Sequence, residues 1–193
     1  LVNKGPRYGT DDPRADAHAV ALTELVQDTF AAHRNWRGGA YHIGYWGVTL
    51  HAGAFATVGS LPNGRRQGMP LASGATPVSG AARRGPTAAL ASTAQLPARC
   101  IANSMAVNHK LARALLDEPG KLALVERLVQ VFFQRGGMQL QFNVHDRELL
   151  LAAQRDPEAH RDLLVRVSGY TAYFGDLNRQ MQDEIIARTE DRV

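Results

Sequence analysis

Apolar positions along the chain follow two periods, one of about 3.6 residues and one of two. Ala19, Leu22, Val26 and Phe30 repeat at helical spacing behind Asp12-Pro13, an N-cap followed by a proline for the first helical position. A helix is expected over about Pro13 to His33. "GPTAALASTAQL" predicts a short helix with Thr87 as its N-cap. In "EPGKLALVERLVQVFFQRGG", Leu122, Val125, Val129, Phe132 and Phe133 form the apolar side of a long helix that Gly136 terminates. Another helix runs from Asp146 to Gln154 and stops at Asp156-Pro157, and a last one covers about Asn178 to Thr189.

The period of two marks strands. "MQLQFNV" alternates Met138, Leu140, Phe142 and Val144 with Gln139, Gln141 and Asn143, so the polar set is expected on the open face. Aromatic and β-branched residues suggest a strand around Tyr41 to Leu50, and further strands lie in "CIANSMAVNHK" and "LLVRVS". Ala52 to about Gly85 is rich in Gly, Pro, Ser and Ala, with "PNGRR" a turn signal, and is expected as one long loop region. Strands alternating with helices indicate an α/β fold. There is no internal repeat and no low-complexity tail.

Composition narrows the class. The 193 residues are 45% apolar and 21% charged, as in a soluble globular protein, and no apolar run suits a membrane helix. The chain starts at Leu1 and shows no signal peptide. The net charge of +4 comes from arginines scattered among acids, so neither nucleic acid nor membrane is an expected partner. A single cysteine, Cys100, excludes an internal disulfide framework and a multi-cysteine metal site, and points to a reducing cytoplasm. Cys100 itself is expected as a small buried residue.

Seven histidines show no metal-ligand spacing, and no metal site is expected. The glycine-rich loops contain neither GxGxxG nor GxxxxGK[ST], so a phosphate cradle has no motif behind it. One glycine stands apart. Gly169 interrupts the strand-like run of "VRVSGYTAYFGDLN", among the apolar and aromatic Val167, Tyr170, Tyr173 and Phe174.

"GPTAALAS", "GGMQLQFNV", "LLVRVSGYTAYF" and "QDEIIARTE", in this order and at these distances, resemble the C-terminal part of glycyl radical enzymes, the pyruvate formate-lyase family. "PRYGTDD" and "PNGRRQGMPLASGATPVSG" are similar to the same family further upstream, so the resemblance spans about Arg7 to Glu190. It implies that Gly169 stores a backbone radical within a loop of Arg166, Val167, Ser168 and Tyr170. A radical on an α-carbon delocalises into the flanking amide nitrogen and carbonyl only if the centre is planar. A side chain would crowd the two neighbouring peptide groups in that plane.

The resemblance also implies an activating enzyme of the radical S-adenosylmethionine type, with its own iron–sulfur cluster, that removes a hydrogen atom from the glycine. No cofactor need be bound by this chain. The glycyl radical would then generate a thiyl on a cysteine. The family's Gly-Cys-x-Glu motif is absent here and Cys100 does not match it, so the cysteine is expected on an N-terminal part of the enzyme, separate or removed. Alone this chain should be catalytically incomplete. A homodimer or larger assembly is implied, as is a ten-stranded α/β barrel to which residues 1–115 contribute with their long loops, 116–193 being the glycyl radical domain. The loop from Ser168 to about Asn178 would have to leave the interior for activation, the last helix and strand opening as a unit.

"HIGYW", "HAG", "ASGATPVSG" and "RVSGYTAYFGDLN" look more like benzylsuccinate and alkylsuccinate synthases, which add a hydrocarbon across fumarate. On that reading Trp46, Val48 and Thr49 would line an apolar pocket. Alternatives are a dehydratase, decarboxylase, or C–N or C–S lyase of the same family, a spare part for an oxygen-cleaved enzyme, or a radical-free binding module.

Overall fold

The computed structural model describes residues 4–111, 113, 116 and 119–188. The expected end of the last helix at Thr189, the end of the resemblance at Glu190 and the residues around the 115/116 boundary lie wholly or partly outside them.

Helix α1 (Pro13–Ala31) starts as expected. The Asp12 carboxylate accepts from the Arg14 amide and Pro13 occupies the first turn. Its inward face is Ala15, Asp16 and Thr23, whereas Leu22 and Phe30 are exposed. The segment Tyr41 to Leu50 is not a strand. Tyr45 makes a single parallel bridge to Met105, and Val48, at φ 49°, turns the chain away before a ladder can extend. That close pass has no room for a side chain at Gly74, where a Cβ would lie 2.4 Å from the Ala106 carbonyl oxygen.

The long loop region holds a 3₁₀ turn at Ala54–Thr57 and is ordered by Arg65, which is buried. Its guanidinium donates to the carbonyls of Val58 at 3.0 Å and Gly59 at 3.1 Å, and to that of Met69. Helix α2 (Gly85–Ala94) has Pro86 in its first turn and Arg84 at the N-cap, so Thr87 lies inside the helix and is not its cap.

Strand β1 (Asn108–Lys110) runs through helix α3 (Pro119–Gln134) into strand β2 (Gln141–Asn143), and the strands pair in parallel with Asn108 opposite Gln141. This is the connection a parallel pair requires and the basis of the α/β class. A ten-stranded barrel is not shown by these residues. Of the expected apolar side of α3, Phe132 is fully buried while Leu122 and Phe133 stay exposed.

Helix α4 (Arg147–Arg155), strand β3 (Leu164–Arg166), strand β4 (Thr171–Tyr173), a 3₁₀ turn at Phe174–Asp176 and helix α5 (Arg179–Arg188) complete the chain. Strand β3 falls in the expected strand "LLVRVS", whereas β4 lies within the stretch expected as a loop, and the two form an antiparallel hairpin. Two cores result. Leu90, Ile101, Met105, Val107 and Phe132 centre the first, which also takes Cys100 as expected. Leu150, Val165, Val167, Phe174, Met181 and Ile185 centre the second. Among the described residues no helix is long and apolar enough to cross a membrane.

Candidate functional site

The β3–β4 hairpin turns on Ser168 and Gly169. The Val167 amide donates to the Tyr170 carbonyl at 2.9 Å, closing a two-residue loop, and Arg166 stands opposite Thr171 in the ladder. Gly169 has φ 86°, a conformation that costs an L-residue about 1–2 kcal/mol. A Cβ placed there meets nothing within 4 Å beyond its chain neighbours. The demand for glycine therefore lies in its backbone and its own two peptide groups. No packed neighbour imposes it.

The tip is open on one side and anchored on the other. Gly169 is exposed, whereas Val167 and Ser168 are buried, and Tyr170 packs half-buried against the C-terminal core. Of the aromatic neighbours expected to enclose the glycine, Phe174 is fully buried but Tyr173 is 49% exposed.

Two side chains of β2 hold the hairpin from below. The Asn143 amide copies a strand partner: its Oδ1 accepts from the Arg166 amide at 2.8 Å and its Nδ2 donates to the Arg166 carbonyl at 2.7 Å. Gln141 Oε1 accepts from Arg166 Nε at 2.7 Å and from the Gly169 amide at 3.3 Å. Arg166 also donates from its other arm to Thr171 Oγ1 at 2.9 Å, across the hairpin. Gln141 is only 6% exposed, so the expected outward face of "MQLQFNV" is in fact turned toward the hairpin. Alternation identified a face, but not which neighbour that face meets.

A third anchor comes from α5. Arg188 donates to the Val167 carbonyl at 2.8 Å and to Glu184 Oε1 at 2.7 Å, and lies 3.3 Å from His51 Nε2. His51 Nε2 is 3.6 Å from Glu184 Oε1, and both residues are buried. Burial pushes the Glu184 carboxyl up, but His51 and the Arg188 guanidinium outweigh it and hold the group below the usual carboxylate range.

Asn143 and Arg188 also line a cavity of about 520 Å³, with Ser73, Asn108 and His109 on its wall. Burial lowers His109 to about 4, so its imidazole is neutral near pH 7. The expected pocket residues lie elsewhere. Trp46 and Val48 are exposed, Thr49 is half-buried, and none of the three lines this cavity. Among the described residues no group of His, Cys, Asp or Glu could hold a metal ion.

The family described as "Glycine radical" matches residues 71–175, over half of the chain and including the whole hairpin. The chain belongs to the glycyl radical family. It is 36% identical over 197 aligned residues to the probable dehydratase YbiW of Escherichia coli (strain K12), covering 98% of this chain and 24% of that protein. To the trans-4-hydroxy-L-proline dehydratase of Clostridioides difficile it is 35% identical, with the same coverage. Among solved structures it matches the glycerol-bound B12-independent glycerol dehydratase of Clostridium butyricum with a TM-score of 0.93 and 34% identity, over 97% of this chain and 24% of that one. This glycyl radical chain thus spans about a quarter of the length of its relatives. These three relatives are dehydratases, the isethionate sulfite-lyase of Desulfovibrio desulfuricans is 33% identical over 100% of this chain, and the lean toward benzylsuccinate or alkylsuccinate synthases, with hydrocarbon addition to fumarate, is not supported.

Proposed function

We propose that Gly169 stores the radical of a glycyl radical dehydratase. One observation carries this reading: within the family match, Gly169 is a positive-φ glycine at the exposed tip of a hairpin whose base is fixed by Asn143, Gln141 and Arg188. The tip can present its α-carbon to a second group while the strands stay in register. Arg166, Val167, Ser168 and Tyr170 form the loop that positions it.

An activating enzyme of the radical S-adenosylmethionine type, carrying its own iron–sulfur cluster, removes one hydrogen atom from the Gly169 α-carbon. The stored radical then takes a hydrogen atom from a cysteine on the part of the enzyme outside these residues. The resulting thiyl acts on a small hydroxylated substrate, which loses water. Dehydration consumes no net electrons, so a radical returned at each turnover suffices. In the assembled enzyme, Gly169 is covered by that other part, within a barrel and a homodimer or larger assembly in the cytoplasm. Within the glycyl radical domain of residues 116–193, the loop from Ser168 to about Asn178 swings out for activation with the last helix and strand as a unit. The dehydratase reading is supported by relatives 34–36% identical over nearly the whole of this chain.

The test is electron paramagnetic resonance of the complete enzyme after anaerobic activation, beside Gly169→Ala, followed by a dehydration assay on small polyols and hydroxylated amino acids. A doublet lost in Gly169→Ala, with water elimination in the assay, is expected. Because no atom blocks the added Cβ, the alanine variant should still fold, at a cost of about 1–2 kcal/mol. A doublet that survives in Gly169→Ala would sink the assignment of the residue, and turnover of none of the hydroxylated substrates would sink the dehydratase reading.

A further inference from the structure

Beneath the hairpin tip one side chain touches the proposed radical residue itself. We infer that Gln141 tunes the glycyl radical through the Gly169 amide, an inference that rests on Gly169 being the radical store. Both groups facing one end of the Gln141 amide, Arg166 Nε and the Gly169 N–H, are donors, so its oxygen must face them. That oxygen is held by contacts independent of the glycine. Arg166 Nε binds it at 2.7 Å, and Arg166 is pinned in turn by the Asn143 amide and by Thr171.

A glycyl radical draws electron density from its own amide nitrogen into the half-filled orbital on the α-carbon. A carbonyl oxygen accepting from that N–H leaves more density on nitrogen to give. It also resists rotation of the peptide plane away from overlap. At 3.3 Å the contact is long in the resting state. The nitrogen gains positive character in the radical, which makes its N–H a stronger donor, so the bond tightens in the radical state. An interaction stronger in one state than in the other shifts the equilibrium toward that state; one equal in both does not.

The other end of the same amide gives a second indication. Gln141 Nε2 is buried and has no hydrogen-bond partner among the described residues. Leaving such a donor unsatisfied is costly, and a residue serving packing alone would be cheaper as an apolar side chain. The carbonyl end is therefore what the position requires. Gln141 is a positioning residue in this account, and Arg166 holds it in place.

The experiment uses the complete enzyme grown with ¹⁵N-glycine and activated anaerobically, as wild type, Gln141→Leu and Gln141→Glu. Leucine keeps the bulk but removes the acceptor; glutamate keeps an acceptor oxygen. Gln141→Leu should still form its radical at Gly169, with a smaller nitrogen coupling and an anaerobic half-life shortened about two- to tenfold, the scale of one net hydrogen bond. Gln141→Glu should retain the wild-type coupling. Should Gln141→Leu lose its circular dichroism signature, Gln141→Asn, which withdraws the oxygen by one methylene, is read in the same way. A variant lacking the acceptor whose coupling and half-life equal the wild type overturns the inference alone. A wild type without any doublet overturns the radical assignment and the inference with it.

Discussion

Arg188 donates to the Val167 carbonyl at 2.8 Å, so the last turn of α5 grips the strand end two residues ahead of Gly169. The same guanidinium neutralises Glu184, and His51 reaches both from the loop region before α2. Replacing Arg188 by leucine strands a buried carboxylate and a carbonyl together. A loss of about 3 kcal/mol is expected, the cost of breaking a buried pair by removing one partner. Urea denaturation measures it. Hydrogen exchange of the β3–β4 amides should quicken in parallel, and unchanged protection there would show that the grip does not hold the hairpin.

Asn143 serves Arg166 as a strand would, with one bond to its amide and one to its carbonyl. Asn143→Ala removes both and leaves two backbone groups unpaired. The expected cost is about 2 kcal/mol, with exchange of the Arg166 amide accelerated while α3 remains protected. Asn143→Asp should not rescue it, because one carboxylate oxygen would face the Arg166 carbonyl. Full stability of Asn143→Asp would mean that the donated bond contributes nothing.

Acid should weaken the fold in two steps. His109 is held neutral, its value lowered from 6.5 to about 4 by burial, so below pH 6.5 the unfolded chain takes up a proton that the folded chain refuses. Stability from this residue is complete above pH 6.5 and falls by about 3 kcal/mol as pH drops to 4. Glu184, held below the usual carboxylate range, adds a loss that begins lower, under the ordinary glutamate range. Stability curves of the wild type and His109→Phe separate the two. The variant should flatten between pH 6.5 and 4 and keep the lower limb, and identical slopes would refute the role given to His109.

Much of this site was legible in the sequence because one element of it obeys a local rule. A glycine breaking a β-branched run is a backbone signal, and the structure places it at a positive-φ hairpin tip. The helix start at Asp12-Pro13 is equally local, as is the buried state of Cys100. What failed depended on partners distant in sequence. Gln141 and Asn143 have the polar half of an alternating strand, and alternation cannot say that Arg166 waits on that side. Tyr41 to Leu50 is rich in strand formers, but the turn at Val48 limits its pairing to the bridge between Tyr45 and Met105, so no strand forms there. The preference for succinate synthases drew on short similar stretches, and whole-chain identity to dehydratases outweighs it.

The hairpin also has a property that concerns breakage. Val167 pairs with Tyr170 through a bond that spans the tip, Phe174 donates its amide to the Leu163 carbonyl at 2.8 Å, and Phe174, Met181 and Ile185 lie in one core with Val165 and Val167. None of these contacts passes through the Gly169 backbone. A chain cut at that residue would therefore keep its severed ends side by side, and the nicked protein would migrate as one particle until denaturant parted the pieces.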